Sequence, residues 1–316
     1  MKLSSFLHPI RAITNYRRYK FFTSKEFPKL MEKDPKRALE IMWKVQTRTD
    51  IDWDNPQTLN EKNVWLEAMS DTSLWTEYSD KYLVRKHIKE LGLERILNKC
   101  YGVWDNANDI DFSILPDSFV MKCNHDCAST KIITDKSQID EDSIRAFYRE
   151  KLSRKYGYET CEPHYTKIKP RVMAEELIEN TELKLSPTSL VDYKFFCCDG
   201  IPQCCMVCYN RSGLRSTFDL YELNPWKKME EVGSGYNLGN NYIPEPAHLK
   251  EMIEIAHILS KDFPFVRIDL YNTNGRIYFG ELTFTPHGAI QDCFTEKMQY
   301  VLGSRITLPK SYKDIQ

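Results

Sequence analysis

The chain predicts an α+β protein, and three features of its 316 residues carry that prediction. Apolar runs of strand type pair around turn residues, at Asp199-Gly200 within 191–209 and in a second hairpin at 265–284, as antiparallel hairpins do. Segments of helical periodicity stand between these hairpins instead of following every strand, unlike the alternation of a doubly wound sheet. The composition, 41% hydrophobic and 28% charged, supports a packed core and excludes disorder throughout.

The first 57 residues read as helical and polar, ending in the linker-like Asp50–Gln57. Residues 1–30 carry Lys2, Arg11, Arg17, Arg18, Lys20, Lys25 and Lys29 against Glu26 alone, with Phe6, Leu7, Ile10, Ile13, Tyr16, Phe21 and Phe22 interleaved. Such a segment packs on the body with its charges in water, the reading favoured here, or makes a peripheral contact with an anionic membrane surface. Thr58-Leu59-Asn60-Glu61 is a capping box that opens a helix through Leu59, Leu66 and Met69. A second helix is expected over Asp80–Leu91, stopping at Gly92.

Strands begin after Pro116. Ser118–Lys122 is a short apolar run, followed by the polar loop Cys123–Thr130 and by Ile132–Thr134. A helix over Asp140–Tyr156, with Ile144, Phe147 and Leu152 at helical spacing, is ended by Gly157. A strand near Arg171–Ile178, the hairpin 191–209 and a loop-rich stretch to about 245 come next. Pro246 then starts a helix that buries Leu249, Met252, Ile253, Ala256 and Leu259, before the hairpin 265–284.

Charge and motif content exclude several functions. With 44 basic against 45 acidic residues, the chain lacks the basic excess of a dedicated nucleic-acid binder. No run reaches the roughly 18 apolar residues of a membrane span, and the start is too interrupted for a secretory leader. Cys197, Cys198, Cys204, Cys205 and Cys208 crowd into one hairpin, as buried small apolar side chains do. Cys205 and Cys208 form a CxxC, but Cys100, Cys123, Cys127, Cys161 and Cys293 supply no second one for zinc. This usage implies a reducing cytoplasm. Neither the P-loop nor the dinucleotide, zincin or serine-hydrolase motif is present, and Gly233-Ser234-Gly235 with Gly239 reads as a connector.

The chemistry concentrates in 265–284. In Phe265-Val266-Arg267-Ile268-Asp269-Leu270-Tyr271, Arg267 and Asp269 share one face and Val266, Ile268 and Leu270 the other. A three-residue turn, Thr273-Asn274-Gly275, sets Asp269 opposite Phe279 and Arg267 opposite Glu281, with Glu281 and Thr283 on the face of Ile277 and Phe279. Asp269, Glu281 and Thr283 are then hard oxygen ligands suited to Mg²⁺, and Arg267 would stabilise a transferring phosphoryl group. The alternative is a solvated Arg267–Glu281 ion pair of little consequence. Lys122, at the exit of an apolar strand, is a second candidate for holding phosphates, or else a solvated strand-end lysine. Ala174-Glu175-Glu176-Leu177-Ile178 with Asp192-Tyr193-Lys194 reads as a nucleoside-binding edge or as surface charge.

Taken in order, these segments resemble the ATP-grasp superfamily, and more closely the TupA-like ATP-grasp family of polysaccharide and teichuronopeptide biosynthesis. The resemblance rests on Thr58-Leu59-Asn60-Glu61-Lys62, Asp80-Lys81-Tyr82, Leu115 to His125, Lys169-Pro170-Arg171, Ala174-Glu175-Glu176, Asp192 to Phe196, Phe263 to Tyr271 and Ile277 to Phe284, across about residues 58–302. It implies two α+β lobes with ATP and Mg²⁺ between them, after an N-terminal basic helical segment (1–57) and a helical part (58–117). The small lobe would span 118–176 and the large lobe 177–316. By position, Lys81 and Lys122 would contact the ATP phosphates, Glu175 and Glu176 the adenine hinge, Asp192 the ribose and Lys194 the nucleotide. Arg267 would support the phosphoryl group, and Asp269, Glu281 and Thr283 the metal.

Two features depart from the superfamily pattern: Thr283 stands where an Asn is common, and the loop 123–130 has no glycine. The implied activity is an ADP-forming carboxylate–amine ligase that joins a uronic acid carboxyl to an amino acid or amine, in the cytoplasm or at the inner face of the membrane. A nucleotide-sugar glycosyltransferase and a non-catalytic scaffold are the other readings.

Overall fold

A computed structural model describes residues 24–212, 215–230 and 242–310, together with Lys20, Gly233, Leu238 and Gly239. The expectation for the basic segment therefore falls mostly outside the described residues, as does that for Ser234 and Gly235. Helices α1 (Glu26–Lys33) and α2 (Pro35–Thr47) follow, α2 capped by Asp34, whose carboxylate accepts the Arg37 N–H at 3.0 Å. Phe27, Met31, Leu39, Met42 and Trp43 pack as one cluster with Val64 and Ala289, so this part of the segment is docked on the body.

The capping box forms as expected at the start of α3 (Leu59–Met69). Thr58 Oγ1 accepts the Glu61 N–H at 3.2 Å, and Glu61 Oε2 accepts the Thr58 N–H at 2.8 Å. The helix expected over Asp80–Leu91 is present but starts late, as α5 (Val84–Glu90), and a separate helix, α4 (Ser73–Ser79), precedes it. The reason is Asp80, whose carboxylate accepts the N–H groups of Tyr82 at 2.8 Å and Leu83 at 3.1 Å and holds a turn between the two helices. Gly92 closes α5's connection with a φ of +72°.

Strands β1 (Cys100–Trp104), β2 (Phe119–Cys123), β3 (Lys131–Ile133) and β4 (Val172–Glu175) make a small antiparallel sheet of order β1-β4-β2-β3. Helix α6 (Glu141–Leu152) covers it, placing Ile144 and Tyr148 among Phe119, Met121 and Val172. The helix stops four residues before the expected Tyr156, which opens the short α7 (Tyr156–Thr160). Gly157 lies inside α7, where an added Cβ would come within 2.6 Å of the Thr166 nitrogen.

Strands β5 (Asp192–Cys198), β6 (Ile201–Ser212), β7 (Arg215–Leu223), β8 (Trp226–Lys228), β9 (Phe265–Thr273) and β10 (Arg276–Thr283) form the large antiparallel sheet, ordered β10-β9-β5-β6-β7-β8. The five hairpin cysteines are buried free thiols within it. Helix α8 (Leu249–Ser260) starts three residues after the expected Pro246 and shares one core with Val266, Ile268 and Leu270; Ile255 is buried there as well, and Ile253 is partly buried against it. Helix α9 (Glu296–Gly303) packs on α3, with Gln299 Oε1 accepting the Asn60 N–H at 3.1 Å. No helix among the described residues is long and apolar enough to cross a membrane.

The β9–β10 hairpin departs from the expected register in two places. The turn has two residues, Asn274 at φ +51° and Gly275 at φ +69°, and Arg276 pairs with Thr273. A bulge at Gly280 then shifts the ladder, so that Glu281 sits opposite Asp269 and Thr283 opposite Arg267. Ile277 and Phe279 therefore share a face with Asn272 and Leu270, not with Glu281. Glycine fits the bulge because an added Cβ would lie 2.9 Å from the Asp269 carbonyl oxygen.

Candidate active site

The bulge turns Glu281 and Thr283 toward the same side as Arg267 and Asp269. Arg267 is the hub: Nε donates to Asp269 Oδ1 at 2.7 Å, and Nη2 to Asp269 Oδ2 at 2.7 Å, Glu281 Oε1 at 3.0 Å and Thr283 Oγ1 at 3.1 Å. Strand β5 extends the group. Lys194, opposite Asp269 in the ladder, pairs with Asp269 Oδ2 and with Asp192 Oδ2 at 2.6 Å. The Arg267–Glu281 pair thus exists, but on a covered face: Asp269 is 2% and Arg267 8% exposed.

Burial works against ionisation throughout this group, and the pairing decides the outcome. Arg267, Lys81 and Lys194 together override burial at Glu281 and hold its carboxyl well below the usual range. At Asp269 burial prevails over Arg267 and Lys194 and lifts the carboxyl to about 6. Asp192 and Asp269 outweigh burial to keep the Lys194 ammonium raised.

Arg267, Glu281 and Thr283 line a cavity of about 290 Å³ with Lys81, Asp126, Cys127, Tyr156, Thr160, Glu162, Tyr165 and Thr285. Lys81 is tied to the glycine-free loop, donating to the Asp126 carbonyl at 2.6 Å. That loop is braced from within: Ser129 Oγ donates to Asp126 Oδ1 at 2.5 Å and accepts the Cys123 N–H at 2.8 Å. Asn124 Nδ2 donates to Asp80 Oδ2 at 2.7 Å. Side-chain bonds thus hold its shape without glycine.

The remaining predicted residues form a second group. Lys122 Nζ meets Glu175 Oε2 at 2.5 Å, and Arg85 Nη1 meets Glu175 Oε1 at 3.1 Å. Glu176 follows β4, its carboxylate accepting the Lys99 N–H at 3.1 Å. Sequence reasoning did not find Asp126, Tyr156, Glu162, Tyr165 or Thr285 as cavity residues. None lies in a motif, and only the approach of distant loops brings them in.

The model of the TupA-like ATPgrasp family matches residues 61–307. This chain belongs to the TupA-like ATP-grasp family. The family match and the α+β architecture agree with the fold the sequence implied. No curated protein matches the chain. Among solved structures it is similar to the D-alanine–D-alanine ligase of Helicobacter pylori, at 13% identity, covering 80% of this chain and 70% of that one with a TM-score of 0.42. It is also similar to the D-alanine–D-alanine ligase of Bacillus anthracis complexed with ATP, at 17% identity, 70% and 59% coverage and a TM-score of 0.42. A third is the ATP-grasp ligase PsnB with minimal precursor, Mg and ADP, at 10% identity, 83% and 66% coverage and a TM-score of 0.38.

The donors present suit the groups this family membership implies. Asp269, Glu281 and Thr283 offer hard oxygens on one face of adjacent strands, and Mg²⁺ takes one or two carboxylates with phosphate oxygens completing its shell. Among the described residues no three His, Cys, Asp or Glu side chains form a metal cluster by themselves. The buried Asp192 Oδ1 has no hydrogen-bond partner, an acceptor suited to a ligand hydroxyl.

Beside Glu162 and Tyr165, His164 Nδ1 lies 3.5 Å from Glu67 Oε1, both side chains buried. Burial lowers the His164 imidazole to about 3. Burial, then the charge of Glu162, raises the Glu67 carboxyl well above its ordinary value. Their linkages to stability oppose each other. His164 protonates in the unfolded chain below about 6.5, so its contribution is complete above that pH and is lost as pH falls toward 3. Glu67 keeps its proton in the folded chain where the unfolded chain releases it, so its contribution is lost as pH rises above about 4.5. Glu67→Gln removes the opposing member. Its unfolding free energy should fall by about 2 kcal/mol from pH 6.5 to 5, more steeply than the wild type in urea titrations. Equal slopes in the two proteins would contradict the buried neutral pair.

Proposed function

We propose that this protein is an ADP-forming carboxylate–amine ligase of cell-surface polysaccharide biosynthesis, amidating a uronic acid with an amino acid or amine. The observation that carries the reading is the Arg267–Asp269–Glu281–Thr283 group, held on two adjacent strands beside a cavity that also contains Lys81. Family membership supports ATP as the energy source. The pathway and the uronic acid rest on the family resemblance.

In this reading residues 118–176 act as the small lobe and 177–316 as the large one, with ATP between them. Bound ATP with Mg²⁺ supplies the phosphoryl group that converts the carboxylate to an acyl phosphate. Asp269, Glu281 and Thr283 would hold the metal. Arg267, fixed by its two bonds to Asp269, presents its guanidinium to negative charge developing on the phosphoryl oxygens. Lys81 and Lys122 neutralise phosphates, Lys194 orients Asp269 and faces the nucleotide, Asp192 receives a ribose hydroxyl, and Glu175 and Glu176 border the adenine. The loop 123–130, anchored by Asp80 and Lys81, keeps water from the cavity.

Mg·ATP is expected to stabilise the protein by about 2.7 kcal/mol at a hundredfold excess over Kd, seen as a rise in Tm that UDP-sugars do not produce. A rise with UDP-sugars and none with adenine nucleotides would replace this reading by a glycosyltransferase. Uronic acids screened with amines for Mg·ATP-dependent ADP release then identify the substrates.

A further inference from the structure

One wall of the cavity has no part in the chemistry described above. Glu162, 4% exposed, follows Cys161, whose φ of +60° ends α7 and turns the chain back. Thr285 Oγ1, two residues beyond Thr283, donates to Glu162 Oε1 and anchors the carboxylate beside the end of β10. Tyr156 and Tyr165 line the same cavity, their ring centroids 5.2 Å apart and their planes at 80°. Glu162 lines the cavity with both rings, and burial and then the Glu162 charge raise both phenol hydroxyls. Arg267, Glu281 and Thr283 line the same cavity, so this wall adjoins the phosphoryl-transfer group.

A buried carboxylate beside two aromatic rings takes up an ammonium ion through charge-assisted hydrogen bonds and cation–π attraction. Lys81 and Arg267 favour anions elsewhere in the same cavity, which is thus polarised for a carboxylate and a cation together. Its volume of about 290 Å³ has room for a small amine beside a reacting carboxyl.

We propose that Glu162, with Tyr156 and Tyr165, binds the ammonium group of the amine substrate, a small aliphatic amine or amino acid. The fate of the amine rests on the ligase reading; its binding does not. In that reaction the bound ammonium gives one proton to the Glu162 carboxylate. The freed lone pair attacks the acyl-phosphate carbonyl carbon, the C–N bond forms, and the C–O bond to phosphate breaks with its electron pair on the phosphate. The phosphate takes the second proton from nitrogen, leaving the amide.

Saturation-transfer NMR on the full chain, with tetramethylammonium as an unreactive probe, tests the site. Transfer to the probe should be displaced by ethylamine at neutral pH and not by uncharged neopentyl alcohol. Glu162→Gln should raise the probe's Kd at least tenfold, and Glu162→Asp should restore part of the affinity. Unchanged binding in Glu162→Gln, or equal displacement by the alcohol, overturns the assignment. Should Glu162→Gln not fold, the wild-type competition and Tyr156→Leu, expected to weaken the probe severalfold, decide. The ligase reading is separated by ADP release with uronic acids and hydroxylamine, an uncharged nucleophile. Probe binding through Glu162 without ADP release retains the ammonium site and overturns the ligase. ADP release with probe binding indifferent to Glu162 does the reverse.

Discussion

Glu281→Gln is expected to lower Mg·ATP-dependent ADP release by about 10²–10³-fold, the range seen when one electrostatic transition-state contact is removed. The substitution is nearly isosteric. A Gln oxygen still accepts from Arg267 Nη2 and Thr283 Oγ1, which lie 3.0 Å from Glu281 Oε1. What disappears is the negative charge that Arg267, Lys81 and Lys194 hold in place. The Glu281 side chain is 37% exposed, so losing that charge should cost little stability, and the thermal unfolding curve should nearly overlay the wild type. The Mg²⁺ concentration for half-maximal turnover should rise with the loss of rate. Turnover within threefold of wild type in a folded variant would remove Glu281 from the metal set, and with it the main support for phosphoryl transfer at this hairpin.

Asp269→Leu is expected to have the largest effect on stability, a loss of about 3–5 kcal/mol in urea unfolding. Asp269 receives two bonds from Arg267 and one from Lys194, and is 2% exposed. Without it, two buried cations lose their shared anion in a region where water cannot replace it. Lys194→Met should cost less, because the two-bond contact with Arg267 survives. The double variant Arg267→Met/Asp269→Leu should be more stable than Asp269→Leu alone, since removing both partners leaves no orphaned guanidinium. Additive losses in that cycle would mean that the pair is not coupled, and Asp269→Leu within 1 kcal/mol of wild type would mean that the site is far wetter than its burial implies.

The hairpin shows how far local patterning reaches. Alternation in Val266-Arg267-Ile268-Asp269-Leu270 was enough to assign a polar and an apolar face to β9. The sequence predicts a longer turn and no bulge in the pairing with β10, which sets Glu281 opposite Arg267. In the structure a shorter turn and the Gly280 bulge shift the ladder by one residue each. For Arg267, Asp269, Glu281 and Thr283 the two differences leave the shared face intact. For Ile277 and Phe279 they do not, because those residues precede the bulge and stay on the core side. Asp80 had a comparable effect: a single carboxylate bonded to two following amides moved the start of an expected helix to Val84.

The sequence by itself determined the elements whose causes are local: the Thr58 capping box, the stop at Gly92, the buried cysteine hairpin and the acid and basic residues of the last hairpin. Each depends on neighbours within a few positions, which the chain displays directly. Only the tertiary structure decided that Lys194 joins Asp269 from 75 residues away, that Thr285 meets Glu162 across 123 residues, and that Lys122 pairs with Glu175. A lone carboxylate in a loop looks the same in sequence whether it ends in water or in a cavity. Its chemistry is set by burial and by the charges brought beside it, and those follow from how the sheets and loops close on one another.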